Sequence, residues 1–309
     1  MTKVCGAASS GGHYIELNYH LSNLGIDDCF IVSSKNSQTQ KDKRVKYYLK
    51  YHTRNPLIAL YNFFKSFKIV LKEKPDVIIS TGAGMAALFS IAGRILGKKV
   101  IHIETLNRIT SKSMTGKVMY YFSNYFIVLW PEQLKMYGKN AKYYGLPIVI
   151  SSDARKSPVK KVFLTVGSTD YPFDRAIKYF DSYAKKNKNL KIFAQIGTSR
   201  YSPKNLEYVR FLTYDEYLKK IDWADKVICP PGAGTIFDSL RKSKSLEFII
   251  RLKKYGEAID DHQYELASKF KDFGVLINNL DMVLKYNTNT KYILNNNNKE
   301  FYTKLLELI

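Results

Sequence analysis

The sequence has few cysteines and no long apolar run. Cys5, Cys29 and Cys229 are widely separated and have neither metal-ligand nor redox spacing, so we expect no disulfide framework and no cysteine metal site. No stretch approaches the ~18 uninterrupted apolar residues of a membrane-spanning helix, and the first strand pattern follows Lys3 without a signal-peptide pattern. We therefore expect the protein in the cytosol or on the cytosolic face of a membrane.

Acidic residues are also scarce relative to basic ones. The 309 residues contain 49 Lys and Arg against 27 Asp and Glu, which gives a net charge of +22. Such a charge favours polyanionic partners, either nucleic acid, anionic lipid or phosphorylated small molecules. The sequence contains no aromatic RNA-binding signature, zinc finger or basic zipper, which argues against nucleic acid. The length predicts two domains, each able to bury a core.

Strand and helix patterns alternate in both halves, which predicts an α/β fold with two parallel sheets covered by helices. The predicted strands of the first half are Val4–Ala8, Cys29–Ser34, Val77–Thr81, Val100–Glu104 and Tyr125–Trp130, and those of the second half are Val162–Gly167, Lys191–Gly197, Val209–Leu212, Val227–Cys229, Leu246–Leu252 and Val275–Ile277. The predicted helices include Tyr14–Leu24, Pro56–Lys74, Met85–Leu96, Phe173–Lys186 and Asp261–Phe273. A Pro- and Ser-rich linker separates a first domain, 1–150, from a second, 159–309, whose last helix is expected to return to the first.

Glycine-rich turns follow strands in both halves. Because such turns let a backbone approach a ligand and the next helix offers free N–H groups, they are typical of phosphate sites. These turns contain Ser10, Gly11, Gly12 and His13, then Gly82 and Gly84, and in the second half Gly232, Ala233, Gly234 and Thr235. His13 is either a general base or phosphate ligand, or an exposed residue at a capped helix start. Glu104, at the end of a buried strand, is either a catalytic base or a core residue.

Polar residues accumulate after the second glycine loop. Glu257 is placed to accept two ribose hydroxyls, and Asp261 and Gln263 to bind a sugar. The alternative is acidic capping of a helix start with an exposed His262. Capping explains the acidic residues well, but it does not explain why these features follow a glycine loop.

These motifs resemble the two-subunit N-acetylglucosaminyltransferase that extends dolichol-linked oligosaccharides, together with its bacterial capsule and exopolysaccharide relatives. The first half resembles the acceptor-side subunit through Ser-Gly-Gly-His at 10–13, Pro-Asp-Val-Ile-Ile-Ser-Thr-Gly-Ala-Gly at 75–84 and Ile-Glu-Thr-Leu-Asn-Arg-Ile-Thr at 103–110. The second half resembles the donor-side subunit through Val-Gly-Ser-Thr at 166–169, Gln-Ile-Gly at 195–197, Gly-Ala-Gly-Thr at 232–235, Gly-Glu at 256–257 and Asp-His-Gln at 261–263. The chain thus resembles a fusion of both subunits.

The resemblance implies a GT-B glycosyltransferase with two Rossmann-like domains facing a central cleft. A UDP-sugar would be the donor, with no metal cofactor, and a polyprenyl-diphosphate-linked sugar the acceptor. Donor contacts would come from Gly167, Gly197, the 232–235 loop, Glu257, Asp261, His262 and Gln263, and acceptor contacts from Ser10, Gly11, Gly12, Gly82, Gly84, Asn107 and Arg108. No Asp-x-Asp pair is present to hold a metal, and the base for an inverting reaction would be His13 or Glu104. Pro230 and Pro231 depart from the family pattern before the donor loop.

A membrane-bound acceptor would require the enzyme to reach the bilayer surface. The Pro56–Lys74 helix is basic and amphipathic, with Phe63, Phe64, Phe67, Lys65 and Lys68 as candidate membrane residues, and the segment 108–122 extends the same surface. The alternative is a helix that simply packs on its own sheet. Both hold if one face packs and an aromatic rim stays exposed.

Two other hypotheses stay open from the sequence. A nucleotide-sugar epimerase of the same fold would show turnover without an acceptor and no lipid affinity. A non-catalytic partner of a transferase would have no need of donor-binding residues such as Glu257 and Gln263.

Overall fold

The computed structural model describes residues 2–51, 55–153, 159–167, 169–259, 261–272, 275–278, 291–295 and 298–309. The chain forms two compact units. The first consists of residues 1–147 with 297–309, and the second of residues 148–296. The division thus falls at Pro147, at the start of the predicted linker.

The first unit is built on a sheet of seven parallel strands. These are β1 (Val4–Ala8), β2 (Phe30–Ser33), β3 (Val45–Tyr48), β4 (Val77–Gly82), β5 (Lys99–Ile103), β6 (Tyr125–Val128) and β7 (Ala141–Tyr143), in the spatial order β3-β2-β1-β4-β5-β6-β7. The direction of winding reverses between β1 and β4. In open parallel sheets, ligands bind beyond the carboxyl ends of the strands at such a reversal.

Helices cover both faces of this sheet. They are α1 (Gly12–Asn23), α2 (Ser37–Lys41), α3 (Pro56–Glu73), α4 (Gly84–Ile95), α5 (Met114–Phe122) and α6 (Glu132–Tyr137). The longest, α3, begins where the Asn55 side chain accepts the N–H groups of Leu57 and Ile58, with Pro56 at the first helical position. It ends at Lys74, which adopts a left-handed conformation with φ 49°. Because crossovers between parallel strands are right-handed, α3, α4 and α5 share one face, and α4 packs against both of the others.

The second unit repeats the architecture with six parallel strands. With the two strands that lie outside this sheet, β8 and β15, the strands of the unit are β8 (Val149–Asp153), β9 (Lys161–Thr165), β10 (Lys191–Gln195), β11 (Glu207–Val209), β12 (Lys226–Cys229), β13 (Ser245–Ile249), β14 (Leu276–Asn278) and β15 (Lys291–Asn295). The parallel sheet has the order β11-β10-β9-β12-β13-β14, and β8 pairs separately with β15 in an antiparallel ribbon. The helices are α7 (Asp174–Lys186), α8 (Tyr214–Trp223), α9 (Ala233–Arg241) and α10 (His262–Asp272).

The last helix, α11 (Lys299–Leu306), belongs to the first unit. Its Phe301 ring stacks on His20 of α1, with ring centroids 5.8 Å apart, and the Tyr302 hydroxyl lies 3.2 Å from the Nδ1 atom of His20. Asn298 fixes the entry to the helix, since its side chain accepts the Phe301 N–H and donates to the Leu146 carbonyl. Buried aromatic packing therefore attaches the end of the chain to α1.

Candidate functional site

The predicted glycine turns of the first unit lie side by side at the carboxyl edge of its sheet. Ala8 ends β1 directly opposite Gly82, which ends the neighbouring strand β4. Gly11 and Gly82 have φ values of 89° and 109°, in the region that favours glycine. No described side chain caps α1 or α4, so their first-turn N–H groups are open to an anion at the winding reversal.

His13 lies between these two turns. Its Nδ1 atom is 2.9 Å from the Thr81 carbonyl oxygen, and the Thr81 hydroxyl donates to the His13 carbonyl at 2.7 Å. Because a carbonyl only accepts, Nδ1 carries the proton and Nε2 keeps its lone pair. Among the described residues, no donor engages Nε2. Burial lowers the pKa of His13, so the imidazole is neutral at pH 7.

Glu104 occupies a different environment, with 1% of its surface exposed. Its Oε1 atom accepts the Thr105 N–H at 2.9 Å, and Oε2 accepts the Ser113 hydroxyl at 3.1 Å and the Tyr137 hydroxyl. Burial raises the pKa of Glu104, against the lowering effect of these donors. A carboxyl group surrounded by three donors in the core is poorly placed to reach a substrate, so the geometry favours the core-residue interpretation.

A second buried carboxyl group, Glu16, was missed by sequence reasoning. It lies on the inner face of α1, its Oε1 atom accepts the Leu106 N–H at 3.0 Å, and burial raises its pKa to about 8. The indole of Trp130 donates to the Leu106 carbonyl at 2.9 Å. The loop that carries the predicted acceptor residues Asn107 and Arg108 is therefore held at Leu106 from both sides. The one sequence signal for this role is an acidic residue at a position of α1 where the helical pattern predicts an apolar side chain.

The second unit brings its predicted glycines together in the same way. Gly167 follows β9, Gly197 follows β10, and Gly232 precedes α9 after β12; β9 pairs with both β10 and β12. Gly167 and Gly197 have positive φ values of 79° and 55°. Ala233 and Gly234 form the first turn of α9, and the Thr235 hydroxyl accepts from Tyr217 at 2.9 Å.

Pro230 and Pro231 precede this loop and are buried. Proline lacks an N–H, but the prolines stand before Gly232, the residue that caps α9. The N–H groups of residues 232–235 are therefore all retained. This departure from the family pattern removes no donor from the first turn of the helix.

The polar residues Glu257, Asp261 and Gln263, which follow the loop at 232–235 along the chain, hold three consecutive N–H groups. Gln263 Oε1 accepts the N–H of Arg251 at 3.2 Å, Glu257 Oε2 that of Leu252 at 3.0 Å, and Asp261 Oδ1 that of Lys253 at 2.8 Å. These side chains shape their own loop, which the sequence did not predict. Their ligand contacts stay predictions, and the side chain of His262 lies outside the described part of the chain, as does Ser168.

Glu257 is also bound by a guanidinium. Arg175 donates from Nε to Oε1 at 3.1 Å and from Nη2 to Oε2 at 2.9 Å, and 4% of Glu257 is exposed. Oε2 also accepts the Leu252 N–H, so both of its lone pairs are used, and Glu257 keeps acceptor capacity toward a ligand at Oε1 alone. Nearby, the Phe211 ring is exposed and lies beside Gly197, an aromatic surface that the sequence interpretation did not identify.

The candidate membrane helix α3 presents an apolar stripe outward. Its inner face holds Asn62, Ser66, Ile69, Val70 and Glu73, whereas its exposed apolar side chains are Leu57, Leu60, Tyr61, Phe64 and Leu71, at helical spacing. Phe64 is 59% exposed, but Phe63 and Phe67 are half-buried and pack together with ring centroids 4.9 Å apart. The aromatic rim is thus narrower than predicted.

A matching stripe lies on α5. Its exposed residues are Met114, Val118, Tyr121 and Phe122. Helices of parallel sheets run back from the carboxyl edge, so the first turns of α3 and α5 lie at the edge that carries His13. No helix in the described ranges is long and apolar enough to cross a membrane. Within the same ranges, no group of three His, Cys, Asp or Glu side chains is arranged to hold a metal ion.

Comparison with known proteins matches each unit separately. Residues 4–147 match the family described as oligosaccharide biosynthesis protein Alg14 like, and residues 161–305 match the glycosyltransferase family 28 C-terminal domain. The rat UDP-N-acetylglucosamine transferase subunit ALG14 is 34% identical over 93 residues, 28% of this chain and 43% of the rat protein. The chain thus spans less than half the length of that relative.

A relative from Vesicomyosocius okutanii covers both units. This protein, a UDP-N-acetylglucosamine–N-acetylmuramyl-(pentapeptide) pyrophosphoryl-undecaprenol N-acetylglucosamine transferase, is 26% identical over 247 residues, 74% of this chain and 66% of its own length.

Solved structures establish the fold. MurG from Acinetobacter baumannii has a TM-score of 0.58 at 18% identity and covers 99% of this chain and 92% of its own. The UDP-GlcNAc 2-epimerase from Methanocaldococcus jannaschii has a TM-score of 0.60 at 14% identity, with 99% of both chains covered. The predicted GT-B fold with two Rossmann-like domains is confirmed. The chain therefore carries an Alg14-like domain in residues 4–147 and a glycosyltransferase family 28 C-terminal domain in residues 161–305.

Proposed function

We propose that the protein is an inverting glycosyltransferase that moves a sugar from a UDP-sugar to a polyprenyl-diphosphate-linked sugar. The names of its relatives support this class of reaction. The rat relative is a subunit of a UDP-N-acetylglucosamine transferase, and the Vesicomyosocius relative transfers N-acetylglucosamine to a sugar carried on pyrophosphoryl-undecaprenol. The two units match the families of an acceptor-side subunit and a donor-side domain, which supports one chain that performs both tasks.

The observation that carries the proposal is the hydrogen bond between His13 Nδ1 and the Thr81 carbonyl. It leaves Nε2 as a neutral base at the carboxyl edge of the first sheet. In an inverting transfer, the acceptor hydroxyl loses its proton to Nε2 while its oxygen bonds to the anomeric carbon and the bond to the UDP oxygen breaks. The low pKa of His13 keeps this base unprotonated at neutral pH.

The leaving diphosphate would be stabilised without a metal ion. The N–H groups of Gly234 and Thr235 in the first turn of α9 supply donors. The glycine turns at Gly167 and Gly197, whose own N–H groups bond to Thr165 and Arg210, lie at the same sheet edge. Glu257 Oε1 would accept a ribose hydroxyl. The amide nitrogen of Gln263 would donate a hydrogen bond to the UDP-sugar, since the Gln263 oxygen already accepts from Arg251. Activity is therefore expected to persist in excess chelator.

The acceptor diphosphate would bind at the glycine turns of the first unit. The open helix starts after Gly11 and Gly82 provide N–H groups, and Ser10, Asn107 and Arg108 lie in loops of the same edge. The Ser10 N–H itself donates to Ser34 Oγ at 2.8 Å, which fixes the shape of the first turn.

The apolar stripes of α3 and α5 would attach the protein peripherally to the cytosolic face of a membrane. Leu57, Leu60, Phe64 and Met114 would enter the interface, and Lys68 would contact anionic headgroups, each such charge contributing about 1 kcal/mol. The stripes begin at the same edge as His13. A lipid-linked acceptor would therefore reach the base without leaving the bilayer.

A transfer assay tests the proposed function. The purified protein is incubated with UDP-N-acetylglucosamine and other UDP-sugars, with and without a polyprenyl-diphosphate-sugar, in the presence of EDTA. We expect product only with the acceptor. Turnover of the UDP-sugar without acceptor would support the epimerase hypothesis instead, and no turnover with any donor would favour a non-catalytic partner.

A further inference from the structure

Arg251 is an arginine buried among main-chain oxygens. Only 2% of its surface is exposed. Nη2 donates to the Val166 carbonyl at 2.6 Å, and Nη1 donates to the carbonyls of Tyr171 at 2.8 Å, Glu257 at 3.0 Å and Pro172 at 3.4 Å. In the described residues, every hydrogen bond of this guanidinium thus ends on a backbone carbonyl. Burial lowers the pKa of Arg251 to about 10, which leaves it charged at neutral pH.

Those carbonyls belong to three separate segments of the second unit. Val166 follows β9 and directly precedes Gly167, Tyr171 and Pro172 lead into α7, and Glu257 follows the left-handed turn at Gly256. The planar guanidinium has five N–H donors in a fixed fork, so one side chain sets the spacing of all three.

Aromatic contacts hold the guanidinium in place. The Phe173 ring lies under Arg251, with 4.7 Å from the ring centroid to Cζ. Arg175 lies near the same ring at 5.6 Å, stacks on Tyr255 at 4.9 Å and binds the Glu257 carboxylate. The two arginines therefore hold Glu257 from two directions, Arg251 at its carbonyl and Arg175 at its side chain.

Stability alone does not account for a charge in this position. Burying a charged group is costly, and an apolar side chain of similar volume often stabilises a fold as well or better. What apolar packing lacks is directional contact with three loops at once. A ligand with charged phosphates and ribose hydroxyls needs its contacts held at fixed distances.

We propose that Arg251 is a positioning residue for the nucleoside diphosphate of the donor. Its guanidinium fixes the turn at Gly167 relative to the loop at Glu257, the segments that the proposed function assigns to the diphosphate and the ribose. Arg251 itself does not contact the ligand. The inference rests on the proposed function, because it assigns the donor to this edge of the second unit.

The test compares UDP binding to the wild type, R251K and K226M by calorimetry. R251K keeps the charge but loses the planar fork, so one ammonium group cannot reach the three segments together. Lys226 is also buried and forms an ion pair with Glu247 at 3.1 Å, at the start of β12 and therefore at the opposite sheet edge. K226M thus controls for general destabilisation caused by a change at a buried basic residue of the same sheet.

We expect R251K to weaken UDP binding by about tenfold or more. K226M should lower the melting temperature but bind UDP within about twofold of the wild type, since it does not alter the donor edge. In transfer assays, R251K should raise the KM for the UDP-sugar and leave the KM for the acceptor unchanged, a split that general destabilisation does not produce.

Equal UDP affinity of folded R251K and wild type overturns the inference and leaves the proposed function intact. No UDP binding by the wild type overturns the proposed function and the inference with it. If R251K does not fold, hydrogen exchange of the wild type decides. UDP should slow exchange together in residues 166–175 and 250–257, whereas slowing confined to residues 232–241 overturns the inference.

Discussion

Glu16→Gln should change how the stability of the first unit depends on pH. Folding raises the pKa of Glu16 from about 4.5 to about 8, mainly through burial. Between these values the folded protein keeps a proton that the unfolded chain has lost, so stability falls as the pH rises through this window. Below pH 4.5 Glu16 is protonated in both the folded and the unfolded state, so its ionisation does not lower the free energy of unfolding.

The size of the effect follows from the width of the window. Between pH 5 and pH 8 the free energy of unfolding of the wild type falls by at most about 1.4 kcal/mol for each pH unit. The total decrease is about 3 to 4 kcal/mol, because the slope flattens near each pKa. Glutamine does not titrate, and its carbonyl still accepts the Leu106 N–H. The free energy of unfolding of the variant, relative to the wild type, should therefore rise by about 3 kcal/mol from pH 5 to pH 8.

Tryptophan fluorescence in urea measures this change. The sequence has two tryptophans, so a Trp223→Phe background leaves Trp130 as the reporter of the first unit. Glu73→Gln is the matched control. The pKa of Glu73 is lowered to about 2 by the Tyr47 hydroxyl, Lys46 and Lys3, so its contribution is constant between pH 5 and pH 8. A difference between Glu16→Gln and wild type that stays flat over this range would refute the reasoning.

Three further outcomes are expected. Gly116→Ala should displace the Glu104 carboxylate, because a Cβ there overlaps Glu104 Oε2 and the Tyr137 hydroxyl, and should cost about 1.5–3 kcal/mol in chemical denaturation; unchanged stability would contradict it. Leu60→Ser with Phe64→Ser should weaken binding to anionic vesicles by roughly 10²-fold or more in flotation, since each side chain contributes about 1.5–3 kcal/mol when buried; unaltered flotation would exclude α3 as the membrane surface. Excess EDTA should leave the transfer rate unchanged, and a rate restored only by Mg²⁺ would refute the metal-independent mechanism.

Much of the fold could be predicted because local patterns dominate it. The strand Val4–Ala8 has the predicted bounds, and α3 differs from its prediction by one residue. The short edge strands β3 and β7 were missed, since three or four residues carry little periodicity. The predicted strand at 209–212 is shifted to Glu207–Val209, where the pairing with β10 decides its position.

The candidate site was less accessible to sequence reasoning. The glycine turns and His13 can be recognised from the local sequence, because each lies where a strand pattern ends and a helix pattern begins. The roles of Glu104 and Arg251 depend on partners far along the chain, such as Tyr137 and Val166, and only folding brings these together. The outward stripe of α3 was also ambiguous, because an apolar helix packs on a sheet as readily as on a membrane.

The rate of sugar transfer by His13→Gln tests the central claim most directly. Glutamine retains polar atoms at this position but cannot act as a base, so single-turnover transfer should fall by roughly 10²–10⁴-fold. Because His13 lies in the first unit and the predicted donor contacts in the second, the affinity for UDP should remain that of the wild type. Transfer at the wild-type rate by His13→Gln would contradict the assignment of Nε2 as the base that takes the acceptor proton.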